Sequence, residues 1–194
     1  MRSAVEFIVK IDNARHDKIQ MKNGSFLYLS PVAYEGYDIQ TRVGVVESTP
    51  EMFDVKVRKG DKVFFHHNIT KESQFYGNKI YSDFKIKDNL YRIPATEIYG
   101  YLRNDEFHAL DPYVFVEPTE QDEVIRSGII VEQAKEHRNE GIIRYPNEEL
   151  KKQGIKSGDK VLFSKYSKYQ LGISDKDERL FRMKTDWIVA KINE

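Results

Sequence analysis

VRKGDKVFF at residues 57–65 and IKSGDKVLF at residues 155–163 decide the fold, because one pattern is written twice in a single chain. In each, an apolar residue leads into Gly-Asp-Lys and then into an apolar run. Glycine supplies the open backbone angle of a tight turn and aspartate tolerates it, so both segments read as a turn feeding a buried strand. Working outward, further blocks recur in the same order. FLYLSP at 26–31 pairs with YVFVEP at 113–118, each a short strand stopped by proline. VGVVES from Val43 pairs with EGIIRY from Glu140, and LYRIPATEIYGYL from Leu90 aligns without a gap to LFRMKTDWIVAKI from Leu180.

Four blocks in one order predict two tandem copies of one small domain. The boundary is expected near Leu110 and Asp111, giving domains 1–110 and 111–194. LRNDEFHALDP reads there as a polar linker in which Phe107 and Leu110 can pack against a neighbouring domain. The segments between blocks differ. The stretch from Pro118 to Gly141 is longer than that from Pro31 to Gly44, so the second copy is expected to carry the longer loop, at 119–140. The first copy is longer between Phe65 and Leu90, where Tyr, Phe, Ile and Lys suggest an added hairpin. Only TPEMFDVKV and PNEELKKQGIK carry helix-start signals, each enough for one turn, the second stopped by Gly154. The remaining short strands, punctuated by Gly, Pro and Asp, predict an all-β fold of sandwich or barrel type.

Composition bounds the function. The 194 residues carry 31 basic and 31 acidic side chains, so no general field draws the chain to nucleic acid or to an anionic membrane. The absence of cysteine removes disulfides, thiolate zinc sites and cysteine nucleophiles together. The N-terminal apolar stretch is broken by Lys10 and Asp12, unlike a signal peptide, and no run approaches the ~18 apolar residues of a membrane span. A cytoplasmic protein is expected.

The second copy resembles the GroES-like co-chaperonin family over nearly its whole length. VFVEP, a long loop holding SGIIV, EGIIRYP, IKSGDKVLF and the closing TDWIVAKI each have a counterpart in that family's order of elements. The resemblance implies two tandem GroES-like small β-barrels: the first, 1–110, with a short loop and an aromatic-rich insertion, and the second, 111–194, with a long mobile-type loop. It also implies a homo-oligomeric ring that caps or docks on a chaperonin to assist protein folding. Carried over to this sequence, the partner-binding loop is Ser127, Gly128, Ile129, Ile130 and Val131. An aliphatic triplet between DEVIR and EQAKEHRNE would gain about 1.5–3 kcal/mol per side chain in a partner's groove. Taken without the repeat, VIRSGIIVEQ is instead a buried strand. VAYEGYDIQTRV in the first copy lacks the triplet and holds Tyr34 and Tyr37, so docking from that copy is not expected.

Other chemistry finds little support. His66 and His67, read as neighbours in one strand, would point to opposite faces and could not share a metal; His16, His108 and His137 are scattered. GDK lacks the glycine-rich run of a phosphate loop, and the absence of GxGxxG and cysteine separates the chain from alcohol dehydrogenases. No catalytic residues, metal ligands or cofactor-binding residues are expected. Tyrosine clusters at Tyr34 and Tyr37, Tyr76 and Tyr81, and Tyr99 and Tyr101 suit core and interface packing better than base stacking, given zero net charge. The alternative is a virion- or capsid-associated structural or assembly protein that reuses the fold, in a virion or host cytoplasm, with other protein subunits as partners.

Overall fold

The computed structural model describes residues 2–12, 18–20, 24–28, 41–71, 73–75, 78–80, 82–120, 124–126, 129–132, 136–164, 169–171, 173 and 180–192. The chain divides into two compact units, Met1–Asn104 and Asp105–Glu194. In the first unit the strands are β1 (Phe7–Lys10), β2 (Lys18–Gln20), β3 (Phe26–Tyr28), β4 (Val43–Ser48), β5 (Lys62–Phe65), β6 (Ser73–Phe75), β7 (Asn78–Ile80), β8 (Lys85–Lys87), β9 (Leu90–Ile93) and β10 (Ile98–Arg103). The second holds β11 (Glu106–Ala109), β12 (Tyr113–Glu120), β13 (Val124–Arg126), β14 (Ile129–Glu132), β15 (Glu136–Tyr145), helix α1 (Glu148–Lys152), β16 (Lys160–Phe163), β17 (Tyr169–Gln170), β18 (Phe181–Lys184) and β19 (Ile188–Lys191).

The division, between Asn104 and Asp105, falls inside the segment read as a linker, and most of that segment is strand or turn. β10 runs to Arg103, and Asn104 and Asp105 turn the chain with φ of 51° and 61°, angles that these two residue types tolerate better than most. β11 follows at once. Its Phe107 is buried and lies edge-on to Phe115 and Tyr145.

Within residues 1–104 the main sheet runs β10-β5-β4-β1-β9-β8; in the second unit it runs β17-β18-β12-β15-β16-β19. Read from the same end, β9 takes the place of β18, β1 of β12, β4 of β15, β5 of β16 and β10 of β19. The registers coincide. Gly44 faces Val63 as Gly141 faces Val161, and Phe65 faces Ile98 as Phe163 faces Ile188. Val9 faces Val46 and Tyr91 as Val116 faces Ile143 and Phe181. A register shift falls at Ile8/Val9 in one unit and at Phe115/Val116 in the other.

Both GDK turns share one hydrogen-bond pattern. The amide of Gly60 donates to Val46 O at 2.8 Å, and that of Gly158 to Ile143 O at 2.8 Å. The Asp61 carboxylate accepts from the Arg58 amide at 2.7 Å, and the Asp159 carboxylate from the Lys156 amide at 2.9 Å. Gly60 and Gly158 have φ of 89° and 91°, which is why glycine stands at both positions.

These registers correct one sequence pairing. The strand equivalent to β12 is β1, within EFIVKI, and not FLYLSP. FLY forms β3, which pairs with β2 as a separate two-stranded sheet, with Ile19 opposite Leu27. Three apolar residues before a polar one fit almost any short strand, so pattern alone could not distinguish the two candidates. With β1 restored, the segment between the first two strands of the main sheet is 11–42 in the first unit and 121–135 in the second. The first unit therefore has the longer connection, against expectation.

The main sheets are not closed into barrels as expected; among the described residues each is an open ladder, ending at β8 in the first unit and at β17 in the second. Those strands are short, at three and two residues, too little backbone to carry a closing ladder. The insertion after Phe65 does contain a hairpin, β6–β7. It is anchored at its ends by buried hydroxyls: Thr70 Oγ1 donates to Thr41 O at 2.8 Å, and Ser82 Oγ to Ile69 O at 2.6 Å. The paired histidines differ from the strand reading. His67 begins a 3-10 turn with His66 as its cap, and the rings stack with centroids 4.2 Å apart instead of facing apart. Tyr99 and Tyr101 are buried, while Tyr34, Tyr37, Tyr76 and Tyr81 lie outside the described residues.

Of the two helix signals only the second produces a helix. Asn147 caps α1, its side chain accepting from the Leu150 amide at 3.0 Å, and Gly154 follows with φ of 80°. Leu150 is thereby buried in a core with Val114, Val116, Ile143, Val161, Phe163 and Met183. Counting equally from β4 and β15, Phe53 takes the place of Leu150, but it is 55% exposed. The first unit has no asparagine at the capping position; Pro50 stands there, and TPEMFDVKV forms bends.

Candidate functional site

The site grows out of the β12–β15 pair. Val114 and Val116 are buried in the core, and Phe115 is buried between them in sequence, in edge-on contact with Phe107 and Tyr145. β12 is thus buried on both faces along this stretch. Gly141 lets β15 approach it: a Cβ there would stand 2.5 Å from both Glu117 O and Val116 Cγ1. Gly44 meets the same restriction against Val9 and Lys10 O in the first unit.

Just beyond this point the ladder breaks. Pro118 faces Gly141, and the next pair is Glu120 with Glu136, so β12 advances two residues while β15 advances five. Proline has no N–H to contribute, which favours an interruption here. Thr119 Oγ1 and Asn139 Oδ1, both buried at this irregularity, make no hydrogen bond among the described residues. Ion pairs flank the joint: Arg144 with Glu117, and Lys160 with Glu140 at 3.1 Å.

Past the joint stands the hairpin β13–β14, a two-stranded sheet separate from the main one. Ile125 faces Ile130, Arg126 faces Ile129, and Val124 faces Glu132. The expected docking residues Ile129, Ile130 and Val131 therefore form β14, while Ser127 and Gly128 lie outside the described residues. A long loop was expected at 119–140, but its described residues are strand. β-branched residues on both sides of Ser-Gly are a hairpin signal, and DEVIR supplies the first strand. Val124 and Ile125 thus join the candidate site. Among the described residues no cluster of His, Asp or Glu could hold a metal ion, and no helix is long and apolar enough to cross a membrane.

β13–β14 is thus a two-stranded sheet, separate from the main one, in which Val-Ile-Arg pairs with Ile-Ile-Val-Glu. The family described as chaperonin 10 Kd subunit matches residues 106–192, the stretch that contains β12, the joint, the β13–β14 arm and the closing β19. A protein of Campylobacter curvus (strain 525.92) named co-chaperonin GroES is 37% identical over 71 residues, 36% of this chain and 80% of the relative. This chain belongs to the chaperonin 10 kDa subunit family. The match to that family falls in the second unit.

Electrostatics at the two GDK turns differ between the units. Burial opposes ionisation of Asp61, but hydrogen bonds from Arg103 at 2.6 and 2.9 Å and from the Arg58 amide outweigh it, and its carboxyl titrates below the ordinary range. Asp159 is lowered by a hydrogen bond from Lys191 at 2.8 Å and by the Lys156 amide. The same turn is thus locked by a two-pronged guanidinium in one unit and a single ammonium in the other.

Proposed function

We propose that this chain is a co-chaperonin that docks on a chaperonin to assist protein folding, and that its two units are tandem copies of one GroES-like domain. The observation that carries the docking reading is the β13–β14 hairpin, set apart from the main sheet within the residues that match the family. Matching strand order, matching registers and the repeated GDK turn support the duplication. In this reading Ile129, Ile130 and Val131, with Ser127 and Gly128 between the strands, enter an apolar groove of the chaperonin. The chain has no catalytic residues, acts in the cytoplasm and works as a homo-oligomer, so that several arms act at once.

The test is ATP-dependent binding to a purified bacterial chaperonin ring. Ile130→Asp removes about 1.5–3 kcal/mol of apolar burial and places a charge in the groove, so affinity should fall at least about tenfold. Undiminished binding by that variant would sink the assignment. Absence of ATP-dependent binding by the parent chain would favour the assembly-protein reading instead.

A further inference from the structure

In the first unit's main sheet one row of directly opposed residues crosses six strands. Lys87 of β8 faces Leu90 of β9, which faces Lys10 of β1; Lys10 faces Val45 of β4, which faces Lys62 of β5; and Lys62 faces Leu102 of β10. Directly opposed residues share a face of a sheet, so lysine and aliphatic side chains alternate along one line. The three lysines are exposed, Val45 is 41% exposed, and Leu90 and Leu102 are half-buried. The same row in the second unit is Glu117, Ile142 and Lys160. There Glu117 pairs with Arg144 and Lys160 with Glu140, so both charges are matched within the unit. In the first unit Lys10 stands where Glu117 does, with the exposed Asp12 at 3.2 Å as its counter-ion, and Lys62 and Lys87 have no ion pair among the described residues. The shared ladder therefore does not dictate the lysines.

We propose that this row is a docking surface for a protein partner, and that the segment it receives is an acidic amphipathic helix laid across the strands. Charge and spacing argue together. Adjacent strands lie about 4.8 Å apart, so lysines on alternate strands recur about every 9.6 Å along the row. A helix returns to one face every seven residues, a rise of about 10.5 Å, and sets a residue of that face half-way, at i+3 or i+4. Carboxylates at i, i+7 and i+14 therefore meet Lys87, Lys10 and Lys62, and aliphatic residues between them meet Leu90 and Val45. The mismatch accumulated along the row, about 2 Å, is taken up by the flexible lysine stems. An extended strand fits worse, because side chains on one of its faces recur about every 6.8 Å. A polyanion without apolar groups leaves Val45 and Leu90 unused. Each exposed ion pair contributes little, so the complex depends on the apolar contacts as well and weakens as salt rises. The inference is independent of the docking assigned to β13–β14, since it uses only residues of the first unit.

The probe is a fluorescein-labelled, alanine-based helical peptide with glutamate at i, i+7 and i+14 and leucine at i+3, i+4, i+10 and i+11, titrated with the full chain and followed by anisotropy. A second peptide of the same composition sets its glutamates on different faces. The first peptide should bind, and the second should bind at least about tenfold more weakly. Lys62→Gln and Lys87→Gln should each weaken binding of the first peptide about twofold to fivefold, and the double variant should lose more than either. Val45→Thr, which keeps the strand-favouring shape, should weaken it as well. Lys152→Gln, on α1 of the second unit, should leave it unchanged. Circular dichroism reports whether each variant is folded. Equal binding of the two peptides, binding of neither, or folded Lys62→Gln, Lys87→Gln and Val45→Thr variants that all bind as the parent does would overturn the proposal. So would a single-stranded thymidine oligonucleotide that binds more tightly than the first peptide, since it marks an unselective cationic face.

Discussion

The first and second units share a ladder down to the register of single residues, yet they differ in almost everything attached to it. β1, β4, β5, β9 and β10 repeat β12, β15, β16, β18 and β19, with the same glycine approaches and the same turn. Under the turn, one unit has a capped helix that buries Leu150, and the other has bends that leave Phe53 and Met52 exposed. Beyond the opening strand, the two hairpins differ in length of connection and in composition. Backbone spacing is set by close contacts that tolerate no side chain, whereas attachments need only an anchor, and so the ladder is where the two units agree and the attachments are where they differ.

The largest expected contrast lies at the paired positions Leu150 and Phe53. Leu150→Ala should cost about 2–5 kcal/mol, because the side chain is fully enclosed. Phe53→Ala should change stability by less than about 0.5 kcal/mol, because the ring is over half exposed. Trp187, the single tryptophan of the chain, packs against the second unit's core and makes urea unfolding of that unit visible by fluorescence. A large effect of Phe53→Ala would break the contrast.

Next come the glycines. Gly141→Ala should destabilise the second unit by about 1–3 kcal/mol, since the new methyl meets a backbone oxygen that cannot move away freely. The matching Gly44→Ala sharpens the comparison. If it leaves the Trp187 transition in place, the units unfold separately; if it shifts that transition equally, they unfold together.

Asn147→Ala should cost about 1–2 kcal/mol in the same assay. It removes the cap of α1 and leaves Thr185 Oγ1 without the donor that now reaches it at 2.7 Å. No parallel exists at Pro50, so Pro50→Ala should leave the first unit's turn intact.

The smallest effect is in the response to acid. The lowered carboxyl of Asp61 means that the unfolded chain binds its proton more readily than the folded one. Its contribution to stability is therefore complete above the unfolded value of about 3.9 and is lost as pH falls through the lower folded value. In Arg103→Gln, a carbon-detected NMR titration should show the Asp61 midpoint move up, with no change at Asp159, whose partner is Lys191.

Much of the frame could be read from the residues. GDK, VGVVES with EGIIRY, and the gapless match from Leu90 to Leu180 all name segments that coincide in the folded ladder. The opening strand could not be read that way. EFIVKI and YVFVEP share no turn signature, and FLYLSP imitates the latter through its proline, so only hydrogen-bond partners tell which one is equivalent. The hairpin at 124–132 was partly hidden for a related reason: Glu123 and Arg126 bracket Val124 and Ile125, and charge around two apolar residues masks a strand. The arm's aliphatic triplet itself was legible from composition and position.

The break after Pro118 marks where the two strands cease to keep step: between the pairs Pro118–Gly141 and Glu120–Glu136, β15 spends three more residues than β12, and that surplus has no counterpart on the opposite strand. Gly141 stands on the regular side of this mismatch, so the close approach it permits to Val116 and Glu117 ends where the surplus begins.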